Sequence, residues 1–305
     1  MRITMVGAGG VGASYGARLA RAGHDVRLLA RGAHLEAIRS RGLTFVADGT
    51  ALTLALPASE DARALGESDV VVIGVKLWQT EEAAQAARPL VGDDTLVVSL
   101  QNGVDARERI GPILGPQRVV HGVSQISAIV SEPGTVVQRS PFARIMVGEA
   151  DGRPSARLGR FVEACTGAGI EARESAAIEV DLWAKFVFIA SLSAACGMFR
   201  SQVGPILADP GTAAFLERLI AEAVAVGRAE GIALPDDQIA RTLAFTRGLP
   251  PGMRASLLDD LERGARLELP WLSGRVVAGG RRHGIETPAH ETAELALRLH
   301  AEGRR

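Results

Sequence analysis

The sequence has few of the features that mark secreted, nucleic-acid-binding or membrane proteins. It contains only two cysteines, Cys165 and Cys196, which fits a reducing compartment and gives no disulfide framework, although a single bridge stays open. The net charge of −1 gives no reason to expect nucleic acid or an anionic membrane as a partner. The first predicted strand leaves no room for a cleavable leader, and no apolar run approaches the ~20 residues that cross a bilayer. We therefore expect a cytoplasmic protein.

Lysine is also scarce, whereas alanine, glycine and arginine are abundant. This composition is typical of GC-rich genomes, so surface arginines carry little functional weight. The six histidines are scattered without metal-ligand spacing, so no metal site is predicted. A length of 305 residues suits two domains, and the sequence leaves open whether the chain forms a homodimer.

Glycine is concentrated at the start of the chain, which reads MRITMVGAGGVG. A short apolar strand runs into a turn that fits G-x-G-x-x-G and comprises Gly7, Ala8, Gly9, Gly10, Val11 and Gly12. In such a turn Gly7 permits the tight bend, Gly9 lets the backbone approach a pyrophosphate, and Gly12 lets the next helix pack closely. A helix over residues 13–22 with Gly23 at its end gives the expected context. The motif predicts a dinucleotide site, and a purely structural turn is the alternative.

The end of the second predicted strand, residues 24–31, indicates which dinucleotide is preferred. An NAD site usually has Asp or Glu there to bind the ribose 2′-hydroxyl, whereas this chain has Ala30 and then Arg31. A guanidinium can bind a 2′-phosphate that a carboxylate would repel. Arg31 therefore predicts NADP(H), and a solvated loop arginine is the alternative.

The order of elements predicts an α/β fold followed by helices. Strands and helices alternate up to residue 175, with a hairpin at 43–56, short helices at 34–39 and 61–67, and a helix at 79–90. Further strands are predicted at 69–76, 95–100, 119–129, 135–147 and 170–172, and a helix at 155–166. From residue 176 the apolar spacing is helical throughout. We predict a Rossmann-type doubly wound sheet in domain 1–175 and an all-helical domain 176–305.

Two polar residues follow predicted parallel strands, where ligands bind in such sheets. Lys76 ends the strand 69–76, and Asn102 lies in Gln101-Asn102-Gly103 after the strand 95–100. Either side chain can contact a cofactor or substrate. A solvated strand end for Lys76 and turn chemistry for Asn102 are equally supported by the pattern.

Lys185 lies in the most apolar stretch of the helical part. A helix there places Lys185, Ile189 and Ser193 on one stripe at four-residue spacing. Such a lysine either extends its ammonium to water or is desolvated, which lowers its pKa and makes it a better proton donor. The residues alone favour the solvated arrangement.

Taken together, these segments resemble the ketopantoate reductase (2-dehydropantoate 2-reductase) family over nearly the full length of the chain. The matching pieces are Gly7–Gly12, Arg31, Val75-Lys76-Leu77-Trp78-Gln79, Gln101-Asn102-Gly103, Leu182-Trp183-Ala184-Lys185, Ser256 and Arg266-Leu267-Glu268. The resemblance implies a Rossmann domain, a helical second domain and NADPH-dependent reduction of a small 2-keto acid in the cleft between them.

The resemblance also implies roles for individual residues. Lys185 is the proton donor, and Glu268 orients cofactor or substrate near it. Asn102 touches nicotinamide and substrate, while Lys76 lines the cofactor cleft and the backbone of Ala128 contacts NADP. Substrate is bound by Asn102, Lys185, Ser193 and Ser256.

The chain departs from the family where asparagines normally bind the substrate. Ile189, Ser193 and, less securely, Val203 occupy those positions. Loss of amides from the pocket disfavours a hydroxyl-bearing substrate such as ketopantoate. Reduction of ketopantoate to pantoate, within pantothenate biosynthesis, is the leading prediction. A same-fold reductase of a less polar keto or hydroxy acid and a non-catalytic NADPH-binding sensor are the alternatives.

Overall fold

The computed structural model describes residues 1–304 and divides into two compact units, unit 1 (Met1–Ile178) and unit 2, which begins at Glu179. Unit 1 contains, in chain order, β1 (Arg2–Val6), α1 (Gly10–Arg21), β2 (Asp25–Leu29), α2 (Gly32–Arg41), β3 (Leu43–Ala47), β4 (Thr50–Leu54), β5 (Ala58–Ser59), β6 (Val70–Ile73), α3 (Thr80–Ala87), β7 (Leu96–Ser99), α4 (Ala106–Leu114), β8 (Val119–Gln125), β9 (Ala128–Glu132), β10 (Thr135–Gln138), β11 (Arg144–Gly148), α5 (Ala156–Gly167) and β12 (Glu171–Glu174).

The main sheet of unit 1 confirms the predicted Rossmann-type α/β fold. Its order is β12-β11-β8-β7-β6-β1-β2-β5, and neighbouring strands are parallel except for the antiparallel pair β8 and β11. Alternate residues of β6 enter two separate apolar cores. Val70 and Val72 join one, and Val71 and Ile73 join the other. A sheet covered on both faces is what apolar runs such as β6 require.

A second sheet, in the order β4-β3-β10-β9, was not predicted. The predicted strands 119–129 and 135–147 are each divided, because the chain leaves the main sheet after Gln125 and returns at Arg144, where the two residues pair. Between these points β9 and β10 form a hairpin, and β10 pairs in parallel with β3. Apolar alternation continues through both sheets, so the sequence pattern does not reveal the transfer.

The helices of unit 1 differ from the predicted ones at two places. Helix α4 was not predicted, because Gly111 and Pro112 inside it interrupt the helical pattern. The predicted helix over 61–67 is only a short 3₁₀ turn, Ala62–Ala64.

Unit 2 is helical among the residues described, as predicted. Its helices are α6 (Ile178–Phe199), whose first residue is the last of unit 1, α7 (Val203–Ala208), α8 (Pro210–Ala229), α9 (Gln238–Arg247), α10 (Ser256–Arg263), α11 (Ser273–His283) and α12 (Pro288–Leu297). Small residues allow the helices to cross closely. A Cβ on Gly227 of α8 would lie 2.8 Å from the Trp183 ring, and one on Gly279 of α11 would lie 2.5 Å from Val226. Gly231 and Gly284 follow α8 and α11 with positive φ, a conformation that suits glycine at the end of a helix.

Helix α6 corrects the expectation that no segment could cross a bilayer. Its 22 residues are long and apolar enough by length and composition, although 67% of the qualifying window is buried within the protein. Scattered charges such as Asp181 and Lys185 made the run seem too short in the sequence. Burial on this scale is also found in the core helix of a globular protein.

Candidate active site

The glycine turn between β1 and α1 is built as its sequence predicts. Gly7 has a positive φ of 96°, which glycine adopts without strain, and its amide donates to the carbonyl of Leu29. A Cβ on Gly12 would lie 2.1 Å from the carbonyl oxygen of Gly7, so α1 can approach the turn only because position 12 has no side chain. These two glycines are required by the fold itself.

Gly9 differs from its neighbours because the fold does not require a glycine there. It has an extended conformation with φ of −71°, which any residue adopts, and a Cβ built on it meets no described atom within 4 Å. Gly9 is also the N-cap of α1, and no side chain caps that helix end. An open space beside an uncapped helix N-terminus fits an anionic pyrophosphate, so these residues suit a dinucleotide.

Ala128 lies against the same turn. A Cβ on Gly10 would lie 2.1 Å from the Ala128 carbonyl oxygen, which places the first residue of β9 directly beside the start of α1. The structure therefore brings Ala128 to the glycine turn, although the two are far apart in sequence. That Ala128 contacts a cofactor stays a prediction.

The loops after β6 and β7, which carry Lys76 and Asn102, are joined at the same edge of the main sheet. The Gln101 amide donates to the Val75 carbonyl at 3.0 Å and to the Thr80 hydroxyl at 2.9 Å. Val75 in turn lies against Gly7, since a Cβ built on Gly7 would be 2.7 Å from the side chain of Val75. Lys76 is partly exposed, with its ammonium 5.8 Å from the centre of the Trp78 ring. Gln101 thus has a structural role that the sequence did not indicate.

Arg31 is exposed at the N-terminus of α2, immediately after β2. Its guanidinium forms an ion pair with Glu82 of α3, with 2.8 Å between Nη1 and the carboxylate oxygen. Both side chains are more than half exposed. Exposed pairs of this kind contribute little stability, so Arg31 can exchange this carboxylate for another anion at small cost.

Lys185 of unit 2 has an unusual environment for a lysine, because its ammonium is buried. It lies in α6, and its Nζ is buried with no hydrogen-bond partner among the described residues, although other parts of the residue are accessible. Burial lowers the pKa of the ammonium to about 8, while the buried carboxylate of Glu268 acts in the opposite direction. The predicted solvated arrangement is therefore wrong for Nζ. An ammonium with this pKa can donate a proton near neutral pH.

The two lysines of the chain are Lys76 and Lys185, and every other basic side chain apart from histidine is arginine. Arginine stays protonated above pH 12 and cannot release a proton near neutrality. The presence of lysine in a chain that otherwise uses arginine is therefore a sequence signal for proton chemistry. It marks the same two residues, Lys76 and Lys185, that the sequence motifs mark.

The remaining predicted residues of unit 2 differ in accessibility. Ser193, two turns beyond Lys185 on α6, is buried, and Ile189 between them is partly exposed. Ser256 is exposed at the first position of α10. Their proposed substrate contacts stay predictions.

One residue that sequence reasoning missed is His34 of α2. Its ring joins the Ala8 carbonyl of the glycine turn to the Gly134 amide between β9 and β10, at 2.8 and 2.9 Å. The partners are backbone atoms 26 and 100 residues away, so no local pattern could have indicated the contact.

Comparison with known proteins identifies the family of this arrangement. Residues 3–152 match the family described as ketopantoate reductase PanE/ApbA, and residues 177–300 match its C-terminal family. A 2-dehydropantoate 2-reductase of Mesorhizobium japonicum is 33% identical, covering 97% of this chain and 96% of its own length.

Solved structures agree with the sequence matches. A PanE/ApbA family ketopantoate reductase from Ralstonia eutropha is 31% identical with a TM-score of 0.91, covering 99% of this chain and 98% of its own. A D-mandelate dehydrogenase in complex with NADH and anilino(oxo)acetate has the same TM-score at 19% identity and 99% and 98% coverage, which shows a shared fold only. This chain therefore belongs to the ketopantoate reductase family of pyridine-nucleotide-dependent oxidoreductases, which act on CH–OH groups.

Proposed function

We propose that this protein reduces a 2-keto acid to the 2-hydroxy acid with NADPH, and that 2-dehydropantoate is the leading substrate. The observation that carries the proposal is Lys185, a buried ammonium whose pKa is lowered to about 8. Ketone reduction needs a proton for the alkoxide oxygen, and a desolvated lysine supplies one near neutral pH. The relatives named 2-dehydropantoate 2-reductase support the choice of keto acid.

The residues of the two units have separate roles in this proposal. The turn Gly7–Gly12 binds the pyrophosphate, and Lys76, Asn102 and the backbone of Ala128 hold the rest of the dinucleotide. When bound, the reduced nicotinamide supplies the hydride for C2 of the keto acid. Lys185 donates the proton to the resulting alkoxide. The charge of Glu268 raises the pKa of that ammonium, which favours its protonated form, and Glu268 orients cofactor or substrate near it. Ser193, Ser256 and Asn102 bind the substrate.

A less polar 2-keto acid is the second candidate substrate. Ile189 lies on the Lys185 stripe of α6 and is partly exposed, so it presents an alkyl surface one turn from the proton donor. An alkyl group cannot satisfy a substrate hydroxyl, and an unpaired buried hydroxyl costs ~1–3 kcal/mol. This contact favours keto acids without a hydroxyl at that position.

A substrate panel tests the proposal directly. Purified protein is given NADPH and either 2-dehydropantoate or matched 2-keto acids that lack its hydroxyl, and oxidation of NADPH is followed by absorbance. Turnover of 2-dehydropantoate supports the leading proposal, and a higher kcat/KM for the hydroxyl-free acids supports the second candidate. NADPH binding without oxidation by any keto acid would instead indicate a non-catalytic sensor.

Arg31 tests the cofactor preference. Arg31→Ala should weaken NADPH binding about tenfold or more, because a charge-assisted contact contributes ~1.5–3 kcal/mol, and should leave NADH binding nearly unchanged. The matched variant Glu82→Gln keeps the guanidinium and removes its present partner, so its NADPH affinity should equal or exceed that of the wild type. Calorimetric titration of each variant with both nucleotides measures this. Equal NADPH affinity in Arg31→Ala and wild type would contradict the assignment.

A further inference from the structure

We infer that His34 is a positioning residue for the dinucleotide, because its neutral ring holds the glycine turn against the second sheet of unit 1. This inference rests on the proposed cofactor site. His34 lies in the first turn of α2 and is partly buried. Its two hydrogen bonds join the glycine turn to the loop between β9 and β10.

The two bonds fix the tautomer of the ring. The Gly134 amide can only donate, so Nδ1 must accept, at 2.9 Å. The Ala8 carbonyl can only accept, so Nε2 must carry the hydrogen that it donates, at 2.8 Å. Only the neutral imidazole protonated at Nε2 satisfies both partners.

The bond to Ala8 sets the direction of an amide in the glycine turn. In a planar trans peptide the carbonyl and the following N–H point in opposite directions. When the Ala8 carbonyl points to His34, the N–H of Gly9 therefore points away from it. Gly9 is the residue beside open space at the N-terminus of α1, so His34 orients a donor of the candidate anion site.

The bond to Gly134 anchors this arrangement to the β9–β10 hairpin. Gly134 has a positive φ of 86°, and a Cβ on it would lie 2.9 Å from that of Ala37 in α2. The same hairpin begins with Ala128, whose carbonyl adjoins Gly10. His34 thus contacts the glycine turn at Ala8 and Ala128 contacts it at Gly10, and both belong to the segments that adjoin the proposed pyrophosphate.

Protonation would break the arrangement. A charged imidazole carries hydrogens on both nitrogens, so Nδ1 would face the Gly134 N–H as a second donor. Burial lowers the pKa of His34, which keeps the ring neutral at physiological pH, while the bond to Ala8 acts the other way. Among the charged side chains on the adjoining segments, Arg41 of α2 donates to the Pro133 carbonyl. Glu132 of β9 accepts from Thr135, and Arg31 pairs with Glu82.

Two substitutions separate positioning from general packing. His34→Leu removes both hydrogen bonds and should raise the Kd and KM for NADPH about five- to twentyfold, the modest effect of losing neutral hydrogen bonds. The kcat at saturating NADPH should be unchanged. His34→Gln can donate its amide to Ala8 and accept from Gly134 without titrating, so it should retain affinity near the wild-type value.

The pH profile provides the readout that loss of packing would not produce. Wild-type NADPH affinity should fall as acid protonates His34, and His34→Gln should lack this component. Ionisation of the 2′-phosphate is common to all variants, so the difference between their profiles isolates the histidine. His24→Gln is the matched control. His24 precedes β2, at the end of the parallel strands opposite to the glycine turn, so this variant should keep the wild-type profile.

The outcomes distinguish this inference from the proposed function. Normal NADPH affinity in a folded His34→Leu, or an unchanged acid component in His34→Gln, would overturn the role of His34 while the reductase proposal stands. Wild-type protein that binds no NADPH would instead refute the cofactor proposal. Reduced affinity in His34→Leu, near-wild-type affinity in His34→Gln and loss of the acid component in His34→Gln would support the inference.

Discussion

At the scale of single residues, the proposed chemistry depends on the burial of one lysine side chain, that of Lys185. The sequence placed Lys185 on the correct helix and stripe, since α6 is helical through that region. It could not show that Nζ is buried, because the same helical pattern also allows the side chain to extend its ammonium to water. The lowered pKa is therefore a property of the folded unit and not of the motif.

Removing the proposed proton donor should affect the chemical step alone. Lys185→Ala should lower kcat by ~10²–10⁴, the usual contribution of general acid catalysis, with little change in the Kd for NADPH. In the wild type, activity should decline as pH rises above about 8, because the ammonium loses the proton that it must donate. Steady-state kinetics across pH and a nucleotide titration measure both effects. Near-normal turnover in Lys185→Ala would remove this residue from the mechanism.

The scarcity of lysine makes the pKa itself measurable. In the variant Lys76→Arg, Lys185 is the only side-chain amine in the sequence. Its reactivity toward an amine reagent as a function of pH should therefore show a midpoint near 8, well below that of an ordinary lysine.

At the scale of elements, the β1–α1 turn separates glycines that the fold needs from one that it does not. The sequence motif predicted these separate roles for Gly7, Gly9 and Gly12. The Gly7 carbonyl beside Gly12 agrees with the packing role predicted for Gly12. The second sheet and α4 were missed, because their partners are distant strands or their patterns are interrupted.

Paired substitutions to alanine test this distinction. Gly9→Ala should keep the stability of the fold within about 1 kcal/mol, since its conformation suits any residue, yet should greatly weaken NADPH binding by filling the space beside the helix end. Gly12→Ala should destabilise the fold itself by ~1–3 kcal/mol, because its Cβ would overlap backbone. Thermal unfolding and nucleotide titration measure the two effects. Unchanged NADPH affinity in Gly9→Ala would place the pyrophosphate elsewhere.

At the scale of the whole molecule, fold class and family were predictable, and the dependence of stability on pH was not. His290 of α12 is buried, and its Nε2 lies 3.0 Å from the Leu219 carbonyl of α8. Burial lowers the pKa of this imidazole to about 4. No sequence pattern indicated this burial, because a single histidine in an amphipathic helix can lie on the exposed face or on the buried face.

His290 should make unfolding easier in mild acid. Its folded pKa lies below the unfolded value of about 6.5, so its contribution to stability is complete above that pH and is lost as pH falls toward 4. Between about pH 7 and about pH 5 the loss is ~2 kcal/mol. Urea unfolding followed by tryptophan fluorescence measures it, since Trp183 and Trp271 both belong to unit 2.

The matched variant is His290→Gln, which can still donate to Leu219 but does not titrate. Its unfolding free energy should lack this part of the acid loss. An identical pH dependence in both proteins would assign the effect to other groups.

The parallel pairing of β3 with β10 has a consequence for how the protein is made. A growing chain emerges with its glycine turn in the first dozen residues, yet the hairpin that adjoins this turn is not complete until residue 138. Pairing across so long an interval is slow, because loop closure must precede the contacts that stabilise it. A nascent chain released before that point would carry the whole glycine motif without the hairpin that lies beside it.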